Sequence, residues 1–179
     1  MEHIQSRENN LSNINIKRTE MESNALHIML ADDDEDDRMF FKEALQEMKV
    51  RTKVTMVNDG VQLMDYLNQP GNLLPNVVFL DLNMPLKNGL ECLIEIRKNK
   101  KLKDLAVAIY STSSSEEYIE EAFVKGANIY IQKPDDFGLL KVILEQVINL
   151  NWQYHTSGLK KENFLLNINS RKGDEVPKT

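Results

Sequence analysis

The chain has 179 residues, 41% of them hydrophobic and 28% charged, with seven Gly and five Pro, which is the composition of one folded domain with tails rather than of two domains. A formal net charge of -6 without a basic stripe excludes a phosphate-backbone grip on nucleic acid. The single cysteine, Cys92, excludes an intramolecular disulfide or a Cys-rich zinc site and fits a reducing compartment, the cytoplasm by default.

Residues 1–24 mix charges and Asn with isolated apolar residues and carry no strand or helix period, so a flexible extension is expected there. From Leu26 an apolar run (Leu26, Ile28, Met29, Leu30, Ala31) stops abruptly at Asp32, which reads as a buried strand ending in acids. Asp36 to Met48 then reads helical through Met39, Phe40, Ala44 and Leu45, and Lys53 to Val57 reads as a strand. Asp59 to Leu67 is a second helix, ended by the Gln69-Pro70-Gly71 breaker. Val77 to Leu82 is a continuous apolar strand, followed by the turn signals Met84-Pro85 and Asn88-Gly89 and a helix from Leu90 to Lys98. Leu105 to Tyr110 (strand), Glu116 to Lys125 (helix), Asn128 to Ile131 (strand) and Asp136 to Leu150 (helix) complete the series. No run reaches the length of a bilayer span, so no membrane segment is expected.

Five β-α units with strands apolar throughout specify an α/β domain, here 25–151, with a parallel sheet covered by helices on both faces. The tail, 152–179, holds one apolar patch, Phe164, Leu165, Leu166 and Ile168, which docks on the domain or a partner or stays loose, and is read either as a docking patch or as an ordered but passive tail. Ligand sites in such sheets lie at the carboxyl ends of the strands. Those ends carry Asp32 and Asp33, Asp81, Ser111 and Lys133.

Crowded carboxylates repel one another, and a hard divalent cation resolves the repulsion; oxygen ligands with room for water suit Mg²⁺. Asp33 and Asp81 are the first-choice ligands, with the Asn83 backbone carbonyl as a third oxygen and Asp32 acting through water. Lys133 supplies a point charge for a phosphoryl oxygen, and Asp81 the attacking carboxylate. Asp34 is a candidate N-cap, and Asp34 to Asp37 read as a solvated helix start favoured by the macrodipole. Cys92 reads as inert core, and His3, His27 and His155 are too scattered for a site.

The segments ADDD at 31–34, LDLNMP at 80–85, YSTS at 110–113 and YIQKP at 130–134, in this order and at these intervals, resemble the receiver domain of two-component response regulators over about Leu26 to Leu150. The resemblance implies a flavodoxin-like doubly wound sheet of five parallel strands, order 2-1-3-4-5, with five helices. It implies Asp81 as phosphoacceptor, Asp32 and Asp33 as the acidic pair, Ser111 as the switch hydroxyl, Lys133 as the phosphate-contacting lysine before a cis Pro134, and Tyr130 as the aromatic that couples to Ser111. The implied function is phosphorelay signal transduction: a histidine kinase or histidine phosphotransfer protein as donor, an unknown downstream protein, signalling by contact with no attached output domain, and a homodimer through the fourth helix, fifth strand and fifth helix as one outcome. No enzymatic activity is expected beyond the domain's own phosphorylation and dephosphorylation. The loop Asn68 to Pro75 and the Trp after the last helix are also similar to stand-alone receivers paired with phytochrome-type or hybrid histidine kinases.

Thr112 departs from the family pattern, which has Ala or Gly beside the switch hydroxyl. Two other readings stand beside the first: a receiver-fold scaffold independent of phosphorylation, and an aspartyl-nucleophile phosphohydrolase. Haloacid-dehalogenase-type phosphatases carry a second Asp two residues after the nucleophile, and Asn83 occupies that place.

Overall fold

The computed structural model describes residues 25–150 and 164–166. Five strands, β1 (Leu26–Ala31), β2 (Thr52–Val57), β3 (Val77–Leu80), β4 (Ala106–Ser111) and β5 (Ile129–Gln132), alternate with five helices. The helices are α1 (Glu35–Glu47), α2 (Gly60–Asn68), α3 (Gly89–Lys98), α4 (Glu116–Val124) and α5 (Phe137–Ile148). The sheet runs β2-β1-β3-β4-β5 with every pairing parallel, as the alternation predicts.

The period-2 geometry of the strands sorts their side chains into two cores. Ile28 and Leu30 of β1, Val77 and Phe79 of β3 and Ala108 and Tyr110 of β4 face Phe41, Ala44 and Leu45 of α1 and Leu140, Ile143 and Leu144 of α5. Met29 and Ala31, Val78 and Leu80, Val107 and Ile109 face the opposite way, onto Leu63 of α2, Leu93 and Ile96 of α3 and Ala122 of α4. Burial on both faces explains why β1, β3 and β4 read as unbroken apolar runs, while the edge strand β2 is only half-buried.

Four of the five helix starts are fixed by a side-chain cap. Asp34 caps α1 by accepting from the Asp36 and Asp37 amides, and Asn88 and Glu91 close a reciprocal capping box at α3. Gly89 is required for packing as well: a Cβ there would stand 2.1 Å from the Asp81 carbonyl oxygen, so only glycine lets α3 start this close to the end of β3. Between them the chain makes a γ-turn at Leu86 (φ 65), with the Lys87 amide donating to the Pro85 carbonyl at 2.7 Å.

The second edge of the sheet is extended by the tail. The Tyr130 amide donates to the Phe164 carbonyl at 2.8 Å and the Leu166 amide to the Tyr130 carbonyl at 3.0 Å, a parallel bridge that gives β5 a short second neighbour opposite β4. Phe164 is fully buried, edge-on to Phe123 of α4 and tilted against Tyr130. Phe164 to Leu166 thus pack on the domain, as either reading of the apolar patch allows; Ile168 and the expected N-terminal extension lie outside the described residues.

Candidate functional site

Hydrogen bonding of the sheet continues one residue past three of its strands. Asp32 donates its amide to Val57 (3.1 Å), Asp81 to Ala31 (2.9 Å) and Lys133 to Ser111 (2.8 Å). The backbone ladder therefore fixes these three expected site residues in register, and their side chains leave the sheet at one edge.

There the Lys133 ammonium, on a side chain only 6% exposed, meets three carboxylates: Asp37 Oδ2 at 2.7 Å, Asp32 Oδ2 at 2.8 Å and Asp81 Oδ2 at 3.3 Å. Asp37 and Asp81 accept hydrogen bonds from it. Asp32 Oδ2 is close but misaligned, so its contact is an ion pair that leaves a buried oxygen without a hydrogen bond. Burial, opposed by Lys133, pushes the Asp32 carboxyl up to about 6. Burial alone pulls Lys133 down; its close contacts with the Asp32 and Asp37 carboxylates and the charges of Asp32 and Asp81 outweigh it, so its pKa is raised.

One carboxylate oxygen from each of Asp32, Asp33 and Asp81 lies within 4.8 Å of the others, a spacing that a single cation can span. This hard-oxygen donor set, to which Asp32 brings a buried carboxylate with one oxygen left without a hydrogen bond, fits a divalent metal. Asp33, Asp81, Asn83, Thr112 and Lys133 line one open cleft, and the Asn83 amide donates to Asp81 Oδ1 at 3.3 Å.

Ser111 is fully buried and its hydroxyl accepts from the Ser113 amide at 3.3 Å, while the Tyr130 hydroxyl donates to the Ser113 carbonyl at 3.0 Å. One residue thus ties together the two positions expected to act as a pair. Thr112, the departure from the pattern, stands at the cleft lining beside Asp81.

Cys92 is buried, with a thiol that burial pushes up to about 12, as suits inert core. Two expectations are corrected. Every peptide bond among the described residues is trans, Lys133–Pro134 included; trans is the form an X–Pro bond favours by about 0.5–1 kcal/mol unless its surroundings reverse that preference. Asp37 is more than a solvated helix acid: one turn on from Asp33, it reaches over the sheet edge to Lys133. Nothing in the acid run singled Asp37 out from its neighbours in the sequence. The Arg38 guanidinium, which donates to the Asp32 carbonyl at 2.7 Å, also escaped the sequence reading.

Residues 28–145 match the family described as the response regulator receiver domain. The chain is 32% identical over 110 residues to response regulator Rcp1 of Synechocystis sp. (strain ATCC 27184 / PCC 6803 / Kazusa), covering 59% of this chain and 75% of that protein. It is 29% identical over 123 residues to a chemotaxis protein CheY homolog of Campylobacter jejuni (strain 81-176), covering 69% and 92%. Among solved structures, the phosphorylated cyanobacterial phytochrome response regulator RcpA superposes with a TM-score of 0.64 at 34% identity, covering 69% of this chain and 91% of that one. The Mn²⁺-bound form of Rcp1 gives 0.64 at 28% identity, covering 69% and 94%. With the same strand order, and with the acids, hydroxyl and lysine at the strand ends, the chain belongs to the response regulator receiver domain family.

Proposed function

We propose that this receiver domain accepts a phosphoryl group on Asp81 from the phosphohistidine of a histidine kinase or phosphotransfer protein, and signals through protein contact. The observation that carries it is the placement of the Asp81 carboxylate in an open cleft, 3.3 Å from the buried Lys133 ammonium. An Asp81 oxygen forms the new bond to phosphorus as the donor's P–N bond breaks, the electron pair leaving with the imidazole nitrogen, which takes a proton from solvent. Lys133 offers its charge to an equatorial phosphoryl oxygen, and Ser111 supplies a hydroxyl from β4 once it leaves the Ser113 amide. Asp33, Asp81 and the Asn83 carbonyl would hold Mg²⁺, with Asp32 behind them through water. When bound, that ion neutralises charge on the transferred group.

Transfer of Ser111 to the phosphoryl group pulls on the 111–113 segment and so on the Tyr130 hydroxyl, which carries the change to α4 and β5. A homodimer through that face includes or displaces Phe164–Leu166. The RcpA structure, phosphorylated and named for a phytochrome, supports a kinase donor and a photoreceptor input. The chain acts on no separate substrate in this reading: Asn83, not a second acid, follows Asp81. No helix among the described residues is long and apolar enough to cross a membrane, which is compatible with a cytoplasmic partner.

Thr112 at the cleft lining keeps the phosphorylation-independent scaffold as the second reading. Beryllofluoride with Mg²⁺, followed by amide NMR shifts, separates the two. Saturable shifts at Asp81, Ser111 and Tyr130 are expected; a folded protein with unmoved shifts favours the scaffold.

A further inference from the structure

Lys133 has three donors, and three carboxylates face them. Two of the three, Asp32 and Asp81, also belong to the only acidic cluster among the described residues spaced to hold a cation; Asp37 does not. Asp37 is the outlying member, its side chain 38% exposed on the first turn of α1, and it makes the shortest of the three contacts. Its place there is built in: its own amide is held by the Asp34 cap, which orients that turn over the sheet edge.

We propose that Asp37 is a positioning residue that holds Lys133 as a counter-ion lock and competes with the phosphoryl group for it. The inference deepens the phosphoacceptor reading and rests on it. Once a cation draws on Asp32 and Asp81, Asp37 is the carboxylate left to Lys133 alone. An arriving phosphoryl oxygen then has to share the ammonium with, or take it from, an anion already 2.7 Å away. Both the occupied donor and the like charge oppose capture, so Asp37 makes the phosphorylated state harder to reach and easier to leave. A charge-assisted hydrogen bond at a partly exposed position sets the scale, an effect of about five- to tenfold on phosphoryl affinity.

Neighbouring Asp36 provides the control, because it lines the same cleft on the same turn and is exposed. The test is calorimetric titration of beryllofluoride into the full chain at saturating Mg²⁺, with a separate Mg²⁺ titration, for the native protein, Asp37→Asn, Asp37→Glu and Asp36→Asn. The proposal expects Asp37→Asn to bind beryllofluoride about five- to tenfold more tightly while its Mg²⁺ affinity changes by less than about twofold. Asp37→Glu should return towards the native value. Thermal melts establish that each variant is folded, and Asp37→Ser replaces Asp37→Asn if the latter is not. Unchanged or weaker binding in Asp37→Asn overturns the lock, as does equal tightening in Asp36→Asn, which would mark a general charge effect. A native protein that binds Mg²⁺ but not beryllofluoride removes the phosphoacceptor reading itself, and this inference with it.

Discussion

The Lys133 ammonium lies 3.3 Å from the Asp81 carboxylate, and it is the one cation balancing Asp81, Asp32 and Asp37 at this edge of the sheet among the described residues. Removing it strands buried negative charge. Lys133→Met should therefore lose about 3 kcal/mol of stability in chelator. Mg²⁺ should restore a good part of the loss, because it supplies the missing positive charge to the same acids. Urea unfolding with and without Mg²⁺ measures both numbers. A loss of equal size in the two conditions would mean that the lysine contributes packing rather than charge.

Asp32 gives the site a pH signature in the metal-free protein. Its carboxyl is raised to about 6 from 3.8, chiefly by burial. A raised acid stabilises the fold most where both states are protonated, below 3.8, and that contribution is lost as pH climbs through about 6. Asp32→Asn has no such proton to lose. Relative to this variant, the native protein in chelator should lose on the order of 3 kcal/mol between pH 3.5 and 7. Parallel stability profiles for the two proteins would show that the buried carboxyl titrates normally.

Phe164 reaches its place from beyond α5 and is fully buried between Phe123 and Tyr130. Phe164→Ala should cost about 3 kcal/mol, as buried aromatic truncations do. It should also expose the Tyr130 amide to hydrogen exchange, since its carbonyl partner belongs to the docked segment. A change below about 1 kcal/mol with Tyr130 still protected would mean that the segment does not close β5 in solution.

The parts of this molecule that were legible in sequence share one property: they are enforced locally. Ile28 to Ala31 and Val77 to Leu80 are apolar without interruption because helices cover both faces, and an acid directly after such a run marks a strand end. Asp32, Asp81 and Lys133 could be placed from that rule and the topology. Asp37 could not, because an acid in a first helical turn looks the same whether it faces water or reaches a lysine 96 residues away. Phe164 to Leu166 is too short to show a strand period, and its partner Tyr130 lies across the whole of α5. The Lys133–Pro134 bond was expected cis on resemblance alone, and no pattern in the residues themselves bore on it.

The central claim, that Asp81 carries the phosphoryl group, is tested most directly by incubating the chain with acetyl phosphate and Mg²⁺, trapping the acyl phosphate with borohydride, and mapping the modified residue by mass spectrometry. Modification at Asp81, lost in Asp81→Asn and on chelating Mg²⁺, is the predicted result. A folded native protein that takes no label, or a label that persists in Asp81→Asn, would contradict it.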